Sequence, residues 1–227
     1  MVLAEEKTAG PENGRESAQN LTGLIRGSPA KAVNNGNELL SDFEERVDSI
    51  LNKLQIRHIT QHHIEYTSKE DGSVRIYTPD FDLESPKCNG KTVILEPHGG
   101  DFFNYDFIRK MKRFMESKEH DDYYLIIITE MPIDEIKRRL ANTRVSKHSD
   151  QIFQDLQISD ICDKLINTRK RSPEEMQQPY AAPPEVAGKP YAYEAEKVAA
   201  ELGGMGEFDE LEFIRALIRF KKDGVID

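Results

Sequence analysis

Two short segments of this chain carry carboxylates that strand formation does not need. Pro79-Asp80-Phe81-Asp82 follows the run Val74-Arg75-Ile76-Tyr77-Thr78, and Glu96-Pro97-His98-Gly99 follows Thr92-Val93-Ile94-Leu95. Between them stands Asn89-Gly90, a pair that tolerates the positive φ of a type I′ turn and therefore predicts a hairpin. Side chains alternate along a strand, so Glu96 and His98 share one face, as do Asp80 and Asp82. Closing the hairpin brings Asp80 toward Glu96 and His98. Carboxylates gathered at strand ends repel one another, and a cation compensates them. Oxygen-rich sets of this kind suit Mg²⁺ or Mn²⁺ rather than zinc.

The elements that must position these residues follow from periodicity. An amphipathic helix is predicted over about 37–54, with Leu39, Leu40, Phe43, Val47, Ile50, Leu51 and Leu54 on one stripe. Glu44 sits inside that stripe, whereas Glu45 and Asp48 fall toward the polar face. A first strand is expected over 59–67, with Gln61, His63 and Glu65 on one face and His62, Ile64 and Tyr66 on the other. After a turn at 69–73 come the second strand and, through Asn89-Gly90, the third. A helix over about 104–116 has Phe107, Ile108, Met111, Phe114 and Met115 facing the core. Tyr123 to Thr129 is continuous and apolar, the pattern of a strand covered on both faces. Pro132, Asp134 and Glu135 start a further helix that runs through Ile136 and Leu140. One or two short helices are expected between 151 and 167. The whole is an α/β sandwich with a mixed sheet.

Composition bounds the rest. The 227 residues suffice for one well-cored domain with extensions, and a hydrophobic fraction of 37% against 32% charged residues predicts polar segments outside that core. Residues 1–35 read as a disordered arm, 36–168 as the core, 169–190 as a Pro-rich linker and 191–227 as a helical, acidic tail. A net charge of −10 argues against wholesale wrapping of nucleic acid but permits a local basic groove. Cys88 and Cys162 stand far apart without metal-ligand spacing and read as ordinary thiols. With no apolar run near the roughly 20 residues of a membrane span and no signal-peptide order, a cytoplasmic protein without membrane contact is expected.

The element order, with acids at these places, resembles the PD-(D/E)xK nuclease superfamily, whose fold is that of the restriction endonucleases. Pro79-Asp80 is similar to the family's PD, and Glu96-Pro97-His98 occupies the place of its (D/E)xK. The start Ser41-Asp42-Phe43-Glu44 is similar to the glutamate-bearing first helix of the very-short-patch-repair-like members. The resemblance spans about 38–140. It implies an αβββαβ restriction-endonuclease-like core and a divalent metal, Mg²⁺ or Mn²⁺, held by Asp80, Glu96 and the backbone carbonyl of Pro97. Glu44 would be a further acid near the metal or its water, and Asp82 a reserve ligand. His98 stands where the family usually has lysine. Histidine can accept a proton from water, can ligate a metal, which favours Mn²⁺, or can mark a lost activity.

Other candidates surround this set. His62-His63 could bring one ring toward it, His63 if its face is inward. Lys137, Arg138, Arg139, Arg144 and Lys147 form a basic run that is either a solvated helix face or an edge that contacts nucleic-acid phosphates, with Lys110, Lys112 and Arg113 as possible additions. The function implied is metal-dependent endonucleolytic hydrolysis of phosphodiesters in DNA. Two alternatives stand beside it: a catalytically degenerate nucleic-acid-binding or assembly module on the same fold, and a nuclease subunit active only within a defence or mobile-element complex. The C-terminal helices would dock on the core or mediate a homodimer or another protein contact.

Overall fold

The computed structural model describes residues 41–99, 103–142, 156–179 and 187–226, without the side chains of 85–87. The arm over 1–35, the helix turn expected at 37–40, Gly100, Arg144 and Lys147 lie outside the described residues.

Helix α1 (Asp42–Lys53) starts where Ser41 Oγ accepts from the Glu44 amide at 3.1 Å, with Asp42, Glu44 and Glu45 complementing its N-terminal dipole. Its stripe of Phe43, Val47, Ile50 and Leu51 is buried as the periodicity requires. Each such side chain contributes roughly 1.5–3 kcal/mol by leaving water. Asp48 departs from the expectation of a polar face. It is fully buried, because the His58 ring packs over it from the chain that follows the helix.

The expected first strand is two strands in two sheets. Strand β1 (His58–Ile59) joins the main sheet, Gln61 turns the chain at φ 58°, and β2 (Ile64–Thr67) pairs antiparallel with β3 (Val74–Tyr77) in a separate hairpin. A residue forced into the left-handed region ends extended pairing, and the two histidines beside it mask this in the alternation pattern. The second strand also divides. Pro79 lacks an amide proton, and the chain breaks between β3 and β4 (Phe81–Cys88). Asn89 and Gly90 take φ of 50° and 87°, and the hairpin to β5 (Lys91–His98) closes as predicted, with Phe81 opposite Leu95 and Asp82 opposite Ile94.

Helix α2 (Tyr105–Met115), capped by the Asn104 side chain, crosses to β6 (Tyr123–Thr129), which lies parallel to β5. After α3 (Ile133–Asn142) a 3₁₀ turn at Ile158–Asp160 precedes β7 (Lys164–Asn167), parallel to β6. This strand stands where only short helices were expected. Lys-Leu-Ile-Asn is too short to show a period, and its place at the open edge of β6 decides its conformation. The main sheet has the order β1-β4-β5-β6-β7, antiparallel on one side of β5 and parallel on the other: a mixed α/β sheet.

Layers on both faces bury it. On one face α1 packs with α5 (Ala192–Glu201) and α6 (Leu211–Lys222) over Phe81, Val93, Leu95, Ile126 and Ile166. On the other, α2, α3 and the β2–β3 hairpin cover Ile94, Leu125 and Ile127. The C-terminal helices therefore dock on the core. Phe208 stacks on Phe43 with ring centroids 4.2 Å apart, and Leu211, Ile214, Leu217 and Ile218 are buried. Arg46 of α1 reaches Glu210 at 3.3 Å; burial pushes the Glu210 carboxyl up to about 7, the Arg46 charge opposing. In the segment expected as an extended linker, the described residues 169–179 pack against the same layer. Buried Arg171 donates to the carbonyls of Met205 and Glu175, and α4 (Pro173–Met176) follows a Ser172–Glu175 capping box. Among the described residues, no helix is long and apolar enough to cross a membrane. Cys88 and Cys162 are free and buried, and burial pushes the Cys162 thiol up to about 12.

Candidate metal centre

The hairpin and the parallel strand beside it create one acidic corner. Phe81 pairs with Leu95, so Asp80, one residue earlier, falls beside Glu96 at the end where β4 begins and β5 ends. Alternation turns Glu96 to the face of Ile94 and His98, beneath α2 and the β2–β3 hairpin. Pro97 lies between them and costs no pairing on the β4 side, since that neighbour begins opposite Leu95. Asp80, Glu96 and His98 each offer one ligand atom, and these atoms lie within 4.8 Å of one another.

Two partners hold Glu96, whose surface is 1% exposed. Tyr77 donates its hydroxyl to Oε1, and His98 Nε2 stands 2.8 Å from Oε2. Tyr77 is fully buried, stacked on Phe114 at 4.1 Å, and burial together with the Glu96 charge keeps its hydroxyl protonated far above the ordinary tyrosine range. The His98 ring meets Phe107 edge-on, with centroids 4.6 Å apart. Both partners of Glu96 are thus themselves fixed by α2 aromatics.

Asp80 is the strained member. Its Oδ2 is buried and accepts no hydrogen bond among the described residues. Burial pushes its carboxyl well above the usual range; the charges of Glu96 and Glu44 add to this, and the Lys110 ammonium opposes it. Two carboxylates about 4 Å apart repel by roughly 4 kcal/mol at an effective dielectric near 20. Such a corner is relieved in one of two ways, by a proton on Asp80 or by a cation. The orphaned oxygen, the second carboxylate and the imidazole fit a small divalent ion, and nitrogen in an otherwise oxygen set leans toward Mn²⁺.

Glu44 of α1 is half-buried and near enough to Asp80 for its charge to act there, as the stripe position implied. Asp82 shares the face but lies two residues farther along β4, where His62 Nδ1 approaches its Oδ2 at 2.6 Å. It is outside the Asp80–Glu96–His98 group. His63, a candidate only if its face were inward, is exposed and meets Thr78 Oγ1 at 2.9 Å, because alternation sets it opposite the buried face of Ile64 and Tyr66. Neither histidine joins the cluster. In the basic run, Arg138 and Arg139 are both tied to Glu135 at 2.7–2.8 Å, and Lys137 is exposed. The acid that precedes the run thus takes up much of its charge.

Two neighbours were not marked by spacing in the sequence. Tyr77 belongs to a different sheet from Glu96, so no alternation rule connects them. Lys110 was legible only as one of several α2 cations. A lysine three after Phe107 and four before Phe114 does fall within the apolar stripe, and that is the signal available for it.

Comparison with protein-family models, with curated proteins and with solved structures found no significant match to the chain.

Proposed function

We propose that this chain is a metal-dependent endonuclease that hydrolyses phosphodiester bonds in DNA, on a restriction-endonuclease-like core of the PD-(D/E)xK kind. One observation carries the reading: Asp80, Glu96 and His98 converge at a strand end, with a buried Asp80 oxygen left without a donor. The Pro79-Asp80 and Glu96-Pro97-His98 segments and the glutamate on α1 support it.

Asp80 and Glu96, with the Pro97 carbonyl, would hold Mg²⁺ or Mn²⁺. When bound, such an ion neutralises charge on the scissile phosphate and promotes attack by water. The protein's own groups do the remainder. Tyr77 fixes the Glu96 carboxylate by binding one oxygen, and the other meets His98. His98, held by Glu96 and by Phe107, would accept the proton of the attacking water. Glu44, from α1, adds an acid whose charge reaches Asp80. Lys137, Arg138, Arg139, Arg144 and Lys147 are the candidate contacts to backbone phosphates.

A second reading, a nucleic-acid-binding or assembly module without catalysis, is favoured by histidine in the place of the usual lysine. Mn²⁺ titration by calorimetry and cleavage of labelled DNA duplexes separate the two. The nuclease reading expects Mn²⁺ binding that Asp80→Ala and Glu96→Ala abolish, and divalent-ion-dependent cleavage lost in the same variants. Metal binding that survives both substitutions would remove the site from consideration, and binding without cleavage of any duplex or single strand would favour the module.

A further inference from the structure

Helix α2 carries four basic residues close together, and three are engaged by acids. Arg109 and Arg113 both pair with Glu70 in the β2–β3 turn, and buried Lys112 pairs with Glu116 one turn on. Lys110 differs. Among the described residues it makes no hydrogen bond or ion pair; its ammonium lies over the Tyr77 ring, 4.9 Å from the centroid. That ring is the one whose hydroxyl holds Glu96.

The helix turns a single stripe toward the acidic corner. Phe107 packs on the His98 ring, and Lys110 and Phe114 both pack on the Tyr77 ring, at the i, i+3, i+7 spacing of one helical face. The lysine in this stripe is exposed, so its long stem lies along the aromatic surface while its charge stays in solvent at the rim of the site. Its charge acts on Asp80, and the other charges that act there, Glu96 and Glu44, are both acidic. A phosphodiester entering the corner would meet three carboxylates on the protein, and strand position 98 offers an imidazole rather than an ammonium. Charge-assisted hydrogen bonds from an ammonium to phosphate oxygens are among the strong ones available to a protein.

We propose that Lys110 supplies this site's phosphate-binding ammonium, reaching from α2 over Tyr77 to the scissile group held at Asp80 and Glu96. The proposal rests on the metal-dependent nuclease reading and names a side-chain ammonium for the scissile phosphate, to which that reading otherwise gives the metal ion alone. Lys110 touches substrate, not metal, so metal binding and turnover separate on its removal.

The experiment uses the full chain with Lys110→Ala, Lys110→Arg and the double variant Lys110→Ala/His98→Lys. Mn²⁺ affinity is read by calorimetry and the cleavage rate on a labelled DNA duplex in Mn²⁺. Lys110→Ala is expected to bind Mn²⁺ at least as tightly as the parent, since a repelling charge is gone, and to cleave about 10²-fold more slowly, the size of one lost charge-stabilising donor. Lys110→Arg keeps the rate within about tenfold, because it keeps a cation of similar reach. The double variant recovers at least about tenfold over Lys110→Ala, because the ammonium returns on β5. A parental cleavage rate in Lys110→Ala, with the parent binding Mn²⁺ and cleaving, overturns this proposal alone. Loss of Mn²⁺ binding in Lys110→Ala also overturns it, by making the lysine a structural support. A parent protein that binds no Mn²⁺, or binds it and cleaves nothing, overturns the nuclease reading and this proposal together.

Discussion

The histidines of two acid–histidine pairs stand on the two strands that flank β4, and both pairs are drawn to the same length. His58 Nε2 meets Asp48 Oδ1 at 2.8 Å, and His98 Nε2 meets Glu96 Oε2 at 2.8 Å. Their surroundings differ. At the first pair every polar atom is answered: Asn52 donates to Asp48 Oδ2 at 2.9 Å, and His58 Nδ1 meets the Ile56 carbonyl at 2.9 Å. The ring has oxygen acceptors on both nitrogens, an arrangement satisfied when it donates from each. The pair joins α1 to β1. At the second pair a further carboxyl, Asp80, is pressed against the first, one of its oxygens without a donor. A closed network stabilises the fold. An open, acid-rich one stores repulsion that a ligand relieves.

Breaking each pair should therefore register in different measurements. His98→Ala is expected to lose on the order of 10²–10⁴-fold in metal-dependent cleavage, the usual size of one acid–base contribution, with little change in unfolding. Parental cleavage by that variant would reduce His98 to a neighbour of the metal ligands. Asp48→Ala is the mirror image. It leaves a buried imidazole and the Asn52 amide unpaired, and urea unfolding should show a loss of about 3–5 kcal/mol while Mn²⁺ affinity holds. Unchanged stability there would mean that the closed pair is no staple.

The smallest effect has the opposite sign. Asp80→Asn removes a desolvated, repelled charge and should stabilise the metal-free protein near neutral pH. The folded-state affinity of the Asp80 carboxyl for its proton is raised, so its contribution to stability is fully present below the unfolded value of about 3.9 and is lost as pH rises through the folded one. The advantage of Asp80→Asn in thermal unfolding should accordingly grow with pH from about 4 upward. An advantage that shrinks over that range would show that Asp80 is not under repulsion.

Much of this was determined by local chemistry. Asn89-Gly90 dictates the hairpin because both residues accept positive φ, and the hairpin with strict alternation is enough to place Asp80 beside Glu96 and His98. The stripe of α1 and the unbroken apolar run of β6 are likewise readable, since burial on one face or on two leaves a period of its own. Other features depend on partners far along the chain. Asp48 looks like a surface residue until His58 covers it, and β7 is a strand because the edge of β6 is open to it. The C-terminal helices look separable, yet α6 packs on β7 and, with α1, completes the cluster that buries Ile126 and Ile166. Tyr77 and Lys110 reach Glu96 and its surroundings from a second sheet and a helix, and no spacing within one element encodes contact between elements. The sequence by itself determined which acids meet; only the packing of α2 and the β2–β3 hairpin against that strand end decided which groups hold them and which charge faces them.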